Sequence, residues 1–116
     1  MEHHLTTYIT HDTLISALGF GTQENLEAIR SYHSGITLQT DKRIADTPLL
    51  AATLSQERLQ QQAEAIGVSD YPRMEQLFIL TINELIRQSG QTLEDKTCGL
   101  IPVSYTHLTL PTSDLV

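Results

Sequence analysis

Residues 71–101, Y-P-R-M-E-Q-L-F-I-L-T-I-N-E-L-I-R-Q-S-G-Q-T-L-E-D-K-T-C-G-L-I, combine a helical pattern with clear signals for where the helix begins and ends. Apolar side chains recur every three or four residues, which is the spacing of one face of an α-helix: Met74, Leu77, Phe78, Ile82, Leu85 and Ile86. Pro72 suits the start of a helix and Gly90 suits the left-handed position that ends one. The apolar segment 98–101 follows a polar turn and is predicted to be a buried strand. Helix, short connection and strand are typical of half of an α/β layer.

Length, charge and composition restrict the class of protein. The chain of 116 residues has the size of one domain or a part of one, and 40% hydrophobic residues are enough for a core. The net charge is -7 and the Lys and Arg residues are scattered rather than clustered, so we expect no nucleic-acid partner. No apolar run has the length of a membrane span, and the N-terminus M-E-H-H-L-T lacks a secretory signal pattern. We therefore expect a cytoplasmic protein without a membrane partner.

The first third of the chain predicts a strand followed by a helix. Residues 5–10 (L-T-T-Y-I-T) are rich in β-branched and aromatic side chains and are predicted to form a strand. Residues 16–21 (S-A-L-G-F-G) form a glycine-bearing turn, and Thr22 is the predicted N-cap of a helix over residues 23–32. The buried side of that helix is predicted to be Leu26, Ile29 and Tyr32.

The middle of the chain has weaker signals. Residues 36–38 indicate a short extended segment, and residues 39–53, interrupted by Pro48, indicate a loop with a short edge strand. Ser55 is the predicted N-cap of another helix, which ends at Gly67. Its buried side is predicted to be Leu59, Ala63 and Ile66. The expected order is strand, helix, extended segment, helix, helix and strand, without an internal repeat.

Residues 14–36, L-I-S-A-L-G-F-G-T-Q-E-N-L-E-A-I-R-S-Y-H-S-G-I, resemble the opening of the β-ketoacyl-acyl-carrier-protein synthases. Members of that family have a V-S-P-L-G-type turn, then a helix, then S-G-I. The matching residues are Ser16, Leu18 and Gly19 in the turn, Glu24, Leu26, Ala28 and Ile29 in the helix, and Ser34, Gly35 and Ile36 at the close. The helix from residue 73 and the following G-x-T-x-E-D are also similar to a family segment, so the resemblance covers residues 8–101.

The resemblance implies both a fold and a reaction. Complete ketosynthases are thiolase-like: two similar α/β halves form a five-layered αβαβα body, of which this chain would be part of the N-terminal half. The parent protein would condense an acyl thioester with malonyl-acyl carrier protein, releasing carbon dioxide, in fatty-acid or related lipid synthesis. Acyl carrier protein and a second ketosynthase subunit, identical or similar, are the implied partners, and no cofactor is implied. The family's T-G-x-G is replaced by residues 10–13, T-H-D-T, which indicates a divergent member.

The resemblance assigns no catalytic residue to this sequence. The family's nucleophile is a cysteine in an A-C-[SA] pattern at the N-terminus of a buried helix, and two histidines come from the later half. Cys98 instead lies between Thr97 and Gly99 at the start of the predicted strand, away from any helix dipole. We interpret it as a small buried apolar residue. The fragment alone is expected to have no condensing activity.

The histidines do not have the spacing of a metal or catalytic site. His3 and His4 are adjacent, so in a strand their side chains face opposite sides. We interpret His11 beside Asp12 as a solvated turn, although an oriented base is the alternative. His33 is expected to place a favourable charge near a helix C-terminus. We therefore predict no metal site.

Two other short patterns contain residue types that occur in binding or catalytic sites. Gly19 and Gly21 form a G-x-G, but the third glycine of a phosphate-binding loop is replaced by Glu24, so tight-turn packing is the preferred interpretation. Glu94 and Asp95 are adjacent acidic residues that we interpret as a solvated turn rather than paired catalytic carboxylates. No cofactor-binding residue is predicted.

Residues 102–116, P-V-S-Y-T-H-L-T-L-P-T-S-D-L-V, do not continue the α/β pattern. They resemble a translated sequencing-adapter read-through, and we interpret them as a non-native tail that follows a truncated ketosynthase N-terminal domain, residues 1–101. A genuine edge strand is the alternative, since residues 103–110 alternate. Two other functions remain open: a non-catalytic ketosynthase-like partner of the chain-length-factor type, and a small α/β interaction module with an acidic surface.

Overall fold

The computed structural model describes residues 4–103. Its elements in chain order are β1 (Ile15–Ser16), β2 (Gly19–Phe20), α1 (Thr22–Arg30), β3 (Ile36–Gln39), β4 (Leu49–Ala52), α2 (Gln56–Ala65) and α3 (Arg73–Ser89). β1 pairs with β2 and β3 pairs with β4, in two separate antiparallel sheets of two strands each. The described chain therefore combines helices and strands, which agrees with the predicted class at a coarse level.

Helix α3 has the predicted boundaries. Pro72 precedes its first residue, and Gly90 adopts the left-handed conformation with φ of 75° directly after its last residue. The Gly90 N–H donates to the Ile86 carbonyl oxygen at 2.9 Å, which satisfies one of the carbonyl groups left free at the helix end.

Within residues 4–103, no helix is both long enough and apolar enough to cross a lipid bilayer.

Helix α2 packs against α3 to form the small core. The Ser55 hydroxyl accepts a hydrogen bond from the Arg58 N–H at 3.2 Å and caps the helix, as predicted. Leu59 and Ala63 are both 0% exposed, and Leu80 of α3 is also buried. Two of the three predicted α2 residues are thus confirmed as core; Ile66 lies at the C-cap and stays partly exposed.

The glycine-bearing turn predicted over residues 16–21 is a hairpin formed by β1 and β2. A Cβ atom on Gly19 would lie 2.4 Å from the Glu24 Oε1 atom, so the close approach of helix α1 requires glycine there. Gly21 has a φ of 106°, which side chains disfavour, and it is the N-cap residue of α1. The interpretation of this G-x-G as tight-turn packing is therefore confirmed.

Two predicted strands are not formed. Residues 5–10 and 98–101 have no strand structure, since no neighbouring strand among the described residues supplies the hydrogen-bond partners that a strand requires. Cys98 is exposed rather than buried, and its N–H donates to the Asp95 carbonyl oxygen at 3.0 Å in a turn. The interpretation of Cys98 as a buried apolar residue is therefore wrong.

Helix α1 also differs from its prediction. It begins at Thr22 and ends at Arg30, and the N-cap is Gly21, because the Thr22 hydroxyl donates to the Asp12 carboxylate at 2.6 Å instead of capping. The predicted buried side was wrong, since the following side chains are exposed: Leu26, Ile29 and Tyr32. The described chain has no layer that covers this face, and the buried residue of α1 is the polar Asn25.

The predicted extended segment and edge strand pair with each other as β3 and β4. Their register places Ile36 opposite Ala52 and Leu38 opposite Leu50. Because side chains alternate between the two sides of a strand, these apolar residues share one face of the sheet. All of them are exposed; Leu38, for example, is 61% exposed. Pro48 comes immediately before β4, where it removes no ladder hydrogen bond.

Candidate functional site

Among the buried side chains of the described residues, Asn25 makes the most hydrogen bonds, and it is 2% exposed. Its Nδ2 atom donates to the carbonyl oxygens of Leu14 at 3.1 Å, Gly19 at 3.1 Å and Gly21 at 2.8 Å. Its Oδ1 atom accepts a hydrogen bond from the Ser16 hydroxyl. A carboxamide has two N–H groups, so the three carbonyl oxygens share them. One side chain of α1 thereby holds both ends of the β1–β2 hairpin.

A second polar contact joins the hairpin to α2. The Arg58 guanidinium donates from Nη1 to Glu24 Oε1 at 2.7 Å and from Nη2 to Glu24 Oε2 at 3.0 Å. Glu24 Oε1 also accepts from the Phe20 N–H at 2.7 Å, and Arg58 lies 4.9 Å from the centre of the Phe20 ring. A bidentate ion pair with a ring contact fixes orientation as well as distance. Arg58 and Glu24 thus set the position of α2 relative to the hairpin.

The same contacts hold the pKa of the Glu24 carboxyl below its ordinary value of 4.5, first through the hydrogen bond from Arg58 and then through that from the Phe20 backbone. The folded carboxyl therefore has a lower pKa than the unfolded one. Its stabilising effect is present above about pH 4.5 and is lost as the pH falls through the folded-state pKa. Because the two side chains are 40% and 44% exposed, solvent screening keeps the contribution to at most about 1 kcal/mol.

We expect Glu24→Gln to lower the free energy of unfolding at pH 7 by at most about 1 kcal/mol, and to have a smaller effect near pH 3. Urea unfolding of both chains across this pH range measures the difference. Glu27→Gln is the matched control, because Glu27 accepts from Gln23 and has no cationic partner among the described contacts. An equal effect of Glu24→Gln at both pH values would show that the Arg58 contact does not stabilise the charged carboxyl.

A cavity of ≈ 290 Å³ lies between the hairpin, α2 and α3. It is lined by Thr13, Ile15, Phe20, Gly21, Gln62, Ile66, Leu80, Asn83, Glu84 and Arg87. The pKa of the Glu84 carboxyl is lowered by hydrogen bonds from Arg87 and Gln88, so this carboxylate is ionised and paired near neutral pH. A paired, ionised carboxylate is poorly suited to general acid catalysis. This lining contains no cysteine or histidine and offers no pair of nucleophile and base.

The structure separates the residues that the sequence suggested for an oriented base. The His11 Nδ1 atom lies 3.0 Å from the Thr10 hydroxyl oxygen, whereas the Asp12 carboxylate accepts a hydrogen bond from the Thr22 hydroxyl. Both His11 and Asp12 are exposed, in agreement with the interpretation of a solvated segment. His11 and Cys98 line a common groove of ≈ 280 Å³ beside α3, but Cys98 lies in a turn without a helix N-terminus to activate its thiol.

The remaining candidates lie apart from one another. Asp95 accepts hydrogen bonds from the Thr97 N–H at 2.9 Å and the Thr97 hydroxyl at 2.7 Å, which confirms the solvated turn proposed for Glu94 and Asp95. His33 is exposed beyond the end of α1. His4 is exposed, and His3 lies outside the described residues, as does the predicted tail from residue 104 onward. In the described part of the chain, no three His, Cys, Asp or Glu side chains come together as a metal site.

Sequence reasoning missed the two residues that organise this region. Asn25 lies on the inner side of α1, and asparagine is a poor helix former, so its presence inside the predicted helix was a signal. Arg58 left no such signal, because its partner Glu24 is 34 residues away. Asn25 binds backbone carbonyl oxygens and the Ser16 hydroxyl, and Arg58 binds the Glu24 carboxylate. Their chemistry is that of a scaffold that holds elements in place.

Comparison with protein-family models, with curated proteins and with solved structures finds no match to this chain.

Proposed function

We propose that this chain is the leading portion of a β-ketoacyl-acyl-carrier-protein synthase and that it supplies scaffold rather than catalytic groups. The parent protein would join an acyl thioester to the malonyl unit of malonyl-acyl carrier protein and release carbon dioxide. Acyl carrier protein and a second ketosynthase subunit would be its partners. The proposal also includes the finer fold, namely part of the N-terminal half of a thiolase-like αβαβα body.

The observation that carries this proposal is the apolar surface of α3. Leu80 faces α2, and Leu77 and Phe78 line a hollow of ≈ 300 Å³ on a second side. Leu85 and Ile86 line the groove beside Cys98 on a third side. The apolar side chains of α3 thus extend beyond the side that packs on α2, and an amphipathic helix buries its apolar side against a neighbouring element. The described chain covers these sides incompletely, and Met74 is 64% exposed, so α3 fits a layer that needs a second neighbour.

A second contact supports the comparison with the ketosynthase opening. Gly35, from the S-G-I close, approaches the S-A-L-G turn so tightly that a Cβ atom on it would lie 2.9 Å from the Ala17 Cβ atom. Ser16 of the same turn is bound to Asn25 of α1. The turn, the helix and the close that match the family in order therefore also meet in space. We expect the opening segment of a ketosynthase to form such a compact unit of turn, helix and close.

The proposed reaction requires groups that this chain does not provide at residues 1–101. The family's cysteine in A-C-[SA] has no counterpart there, and Cys98 lies in an exposed turn. We therefore assign no catalytic, cofactor-binding or metal-binding residue to the chain. Its part in the parent would be to present α3 and the hairpin to the layers that hold the reactive centre.

We expect the purified chain to release no carbon dioxide from malonyl-acyl carrier protein above the rate of a Cys98→Ala control. The physical reason is the lack of an activated thiolate and of donors for the developing enolate oxygen. Trapping of released ¹⁴C-carbon dioxide from labelled malonyl-carrier measures the rate. Turnover that disappears in Cys98→Ala would overturn the assignment of an inactive fragment.

Reading the gene beyond codon 101 tests the parent activity. We expect a continuation that encodes a cysteine in an A-C-[SA] pattern followed by two histidines. A ketosynthase-like continuation without that cysteine would instead support a non-catalytic partner of the chain-length-factor type. An open reading frame that ends after Val116 would contradict the ketosynthase proposal. It would favour a small interaction module, which the exposed apolar faces of α3 and of the β3–β4 sheet would suit.

A further inference from the structure

The β3–β4 sheet has an edge that lacks the features which usually prevent another strand from pairing with it. It contains two strands, so each strand has one side that is not hydrogen-bonded to a neighbour within the described residues. Neither strand contains a charged residue, although the chain as a whole has a net charge of -7. Natural edge strands are commonly blocked by charges, proline or bulges. Three of the four residues of β3 are exposed, so β3 has the more accessible edge.

One face of this sheet is apolar and uncovered. Ile36, Leu38, Leu50 and Ala52 share it, and all are exposed. The opposite face holds Gln39, Leu49 and Ala51, which are half-buried, and Thr37, which is exposed. The apolar face is therefore the more exposed of the two, and the described residues do not cover it. An added strand would lengthen this apolar face only if it placed apolar residues on the same side.

The same chain contains an unpaired segment of that kind. Residues 5–10, L-T-T-Y-I-T, are uncharged, exposed and outside any sheet, and Ile9 is 90% exposed. In an extended chain, Leu5, Thr7 and Ile9 lie on one side and Tyr8 on the other. Leu5 and Ile9 would therefore continue the apolar face of β3 and β4. Within the described residues, no backbone hydrogen bond involves residues 5–10.

We propose that residues 5–10 of one copy of this chain add as a strand to the β3 edge of a second copy, and that the second copy does the same in return. Strand addition supplies backbone hydrogen bonds to both edges and places Leu5 and Ile9 beside Ile36 and Leu38. Charge does not oppose the contact, because both segments are uncharged. A second copy of the chain is the proposed partner, because each chain carries both the accepting edge and a segment that would pair with it. The inference is independent of the proposed parent enzyme.

The size of the contact limits its strength. The six residues 5–10 and the four residues of β3 that would pair with them are fewer than the roughly 20–30 residues a side that standard stable interfaces use. We therefore expect a weak dimer that forms reversibly as the protein concentration rises toward about 0.1 mM. Sedimentation velocity of the full chain across a range of concentrations measures this association. A chain that stays monomeric throughout the range would overturn the proposal.

Two substitutions of opposite charge test which surfaces are used. Ile9→Lys alters the added segment and Leu38→Asp alters the accepting edge, and both side chains are exposed, so folding should not depend on either. We expect each variant to weaken dimerisation at least tenfold. An equimolar mixture of the two should recover a heterodimer, because one of its two strand additions is unaltered and the other joins opposite charges.

Matched control variants distinguish the loss of strand addition from a general effect of the added charge on solubility. Ile29→Lys and Leu93→Asp make the same changes at exposed positions outside both segments, and we expect them to dimerise like the unchanged chain. Equal weakening by the controls, or a mixture that stays monomeric, would overturn the proposal. Aggregates that persist equally in Ile9→Lys and Leu38→Asp would also overturn it, because association would then not need these strands.

Discussion

Leu59→Ala is expected to lower the free energy of unfolding by about 2–5 kcal/mol, the largest effect of any single truncation in this chain. Leu59 is 0% exposed and lies where α2 meets α3, so its removal loses apolar burial and leaves a cavity. With a urea dependence of about 1–3 kcal/mol per molar, the unfolding midpoint should fall by roughly 1 M or more. Circular dichroism during urea titration of a dilute sample measures this midpoint.

Leu26→Ala is the matched control for this substitution. Leu26 lies on a helix as Leu59 does, but its side chain is exposed. Its truncation should therefore lower the free energy of unfolding by well under half as much as Leu59→Ala does. Equal effects at the two positions would contradict a core located between α2 and α3. No change at Leu59 would mean that α2 is not packed on α3 in solution.

Asn25→Ala is expected to lower the free energy of unfolding by about 2–4 kcal/mol, since it removes four hydrogen bonds made by a side chain that is 2% exposed. The Leu14 and Gly21 carbonyl oxygens each keep a backbone N–H donor. Asn25→Asp should lower the free energy of unfolding by at least as much at pH 7. A carboxylate has almost the same shape, yet it would place negative charge beside the carbonyl oxygens of Leu14, Gly19 and Gly21. Urea unfolding at pH 7 and pH 4 measures both variants, and Asn25→Asp should recover in part at the lower pH.

Asn83→Ala makes the same truncation on α3, where the side chain is exposed and takes part in no described side-chain hydrogen bond. We expect a change of less than about 0.5 kcal/mol there. If Asn25→Ala were equally mild, the hairpin would be held by its own backbone hydrogen bonds rather than by the carboxamide.

The elements that sequence reasoning located correctly are those whose signals are local. Helix α3 lies between Pro72 and Gly90, and both act through their own backbone conformation. Ser55 caps α2 through a hydrogen bond to a residue three positions later. The β1–β2 turn required glycine because of crowding by Glu24, five residues away. Each of these features is determined within about one turn of chain.

The predictions that were wrong depend on neighbours that local sequence does not specify. Residues 5–10 and 98–101 have the composition of strands, but a strand also needs a paired neighbour, and β-propensity reflects that context. The apolar side of α1, with Leu26 and Ile29, is exposed for the same reason, as no described layer covers it. The Arg58 contact to Glu24 is a tertiary contact that no local pattern encodes.

The contacts of Asn25 also bear on the order in which the molecule assembles. Its furthest partner, Leu14, is 11 residues away, whereas the link between Glu24 and Arg58 spans 34 residues. Closing a short loop costs less entropy, and local contacts form faster than distant ones. The hairpin and α1 can therefore assemble on the nascent polypeptide while α2 and α3 are still being translated.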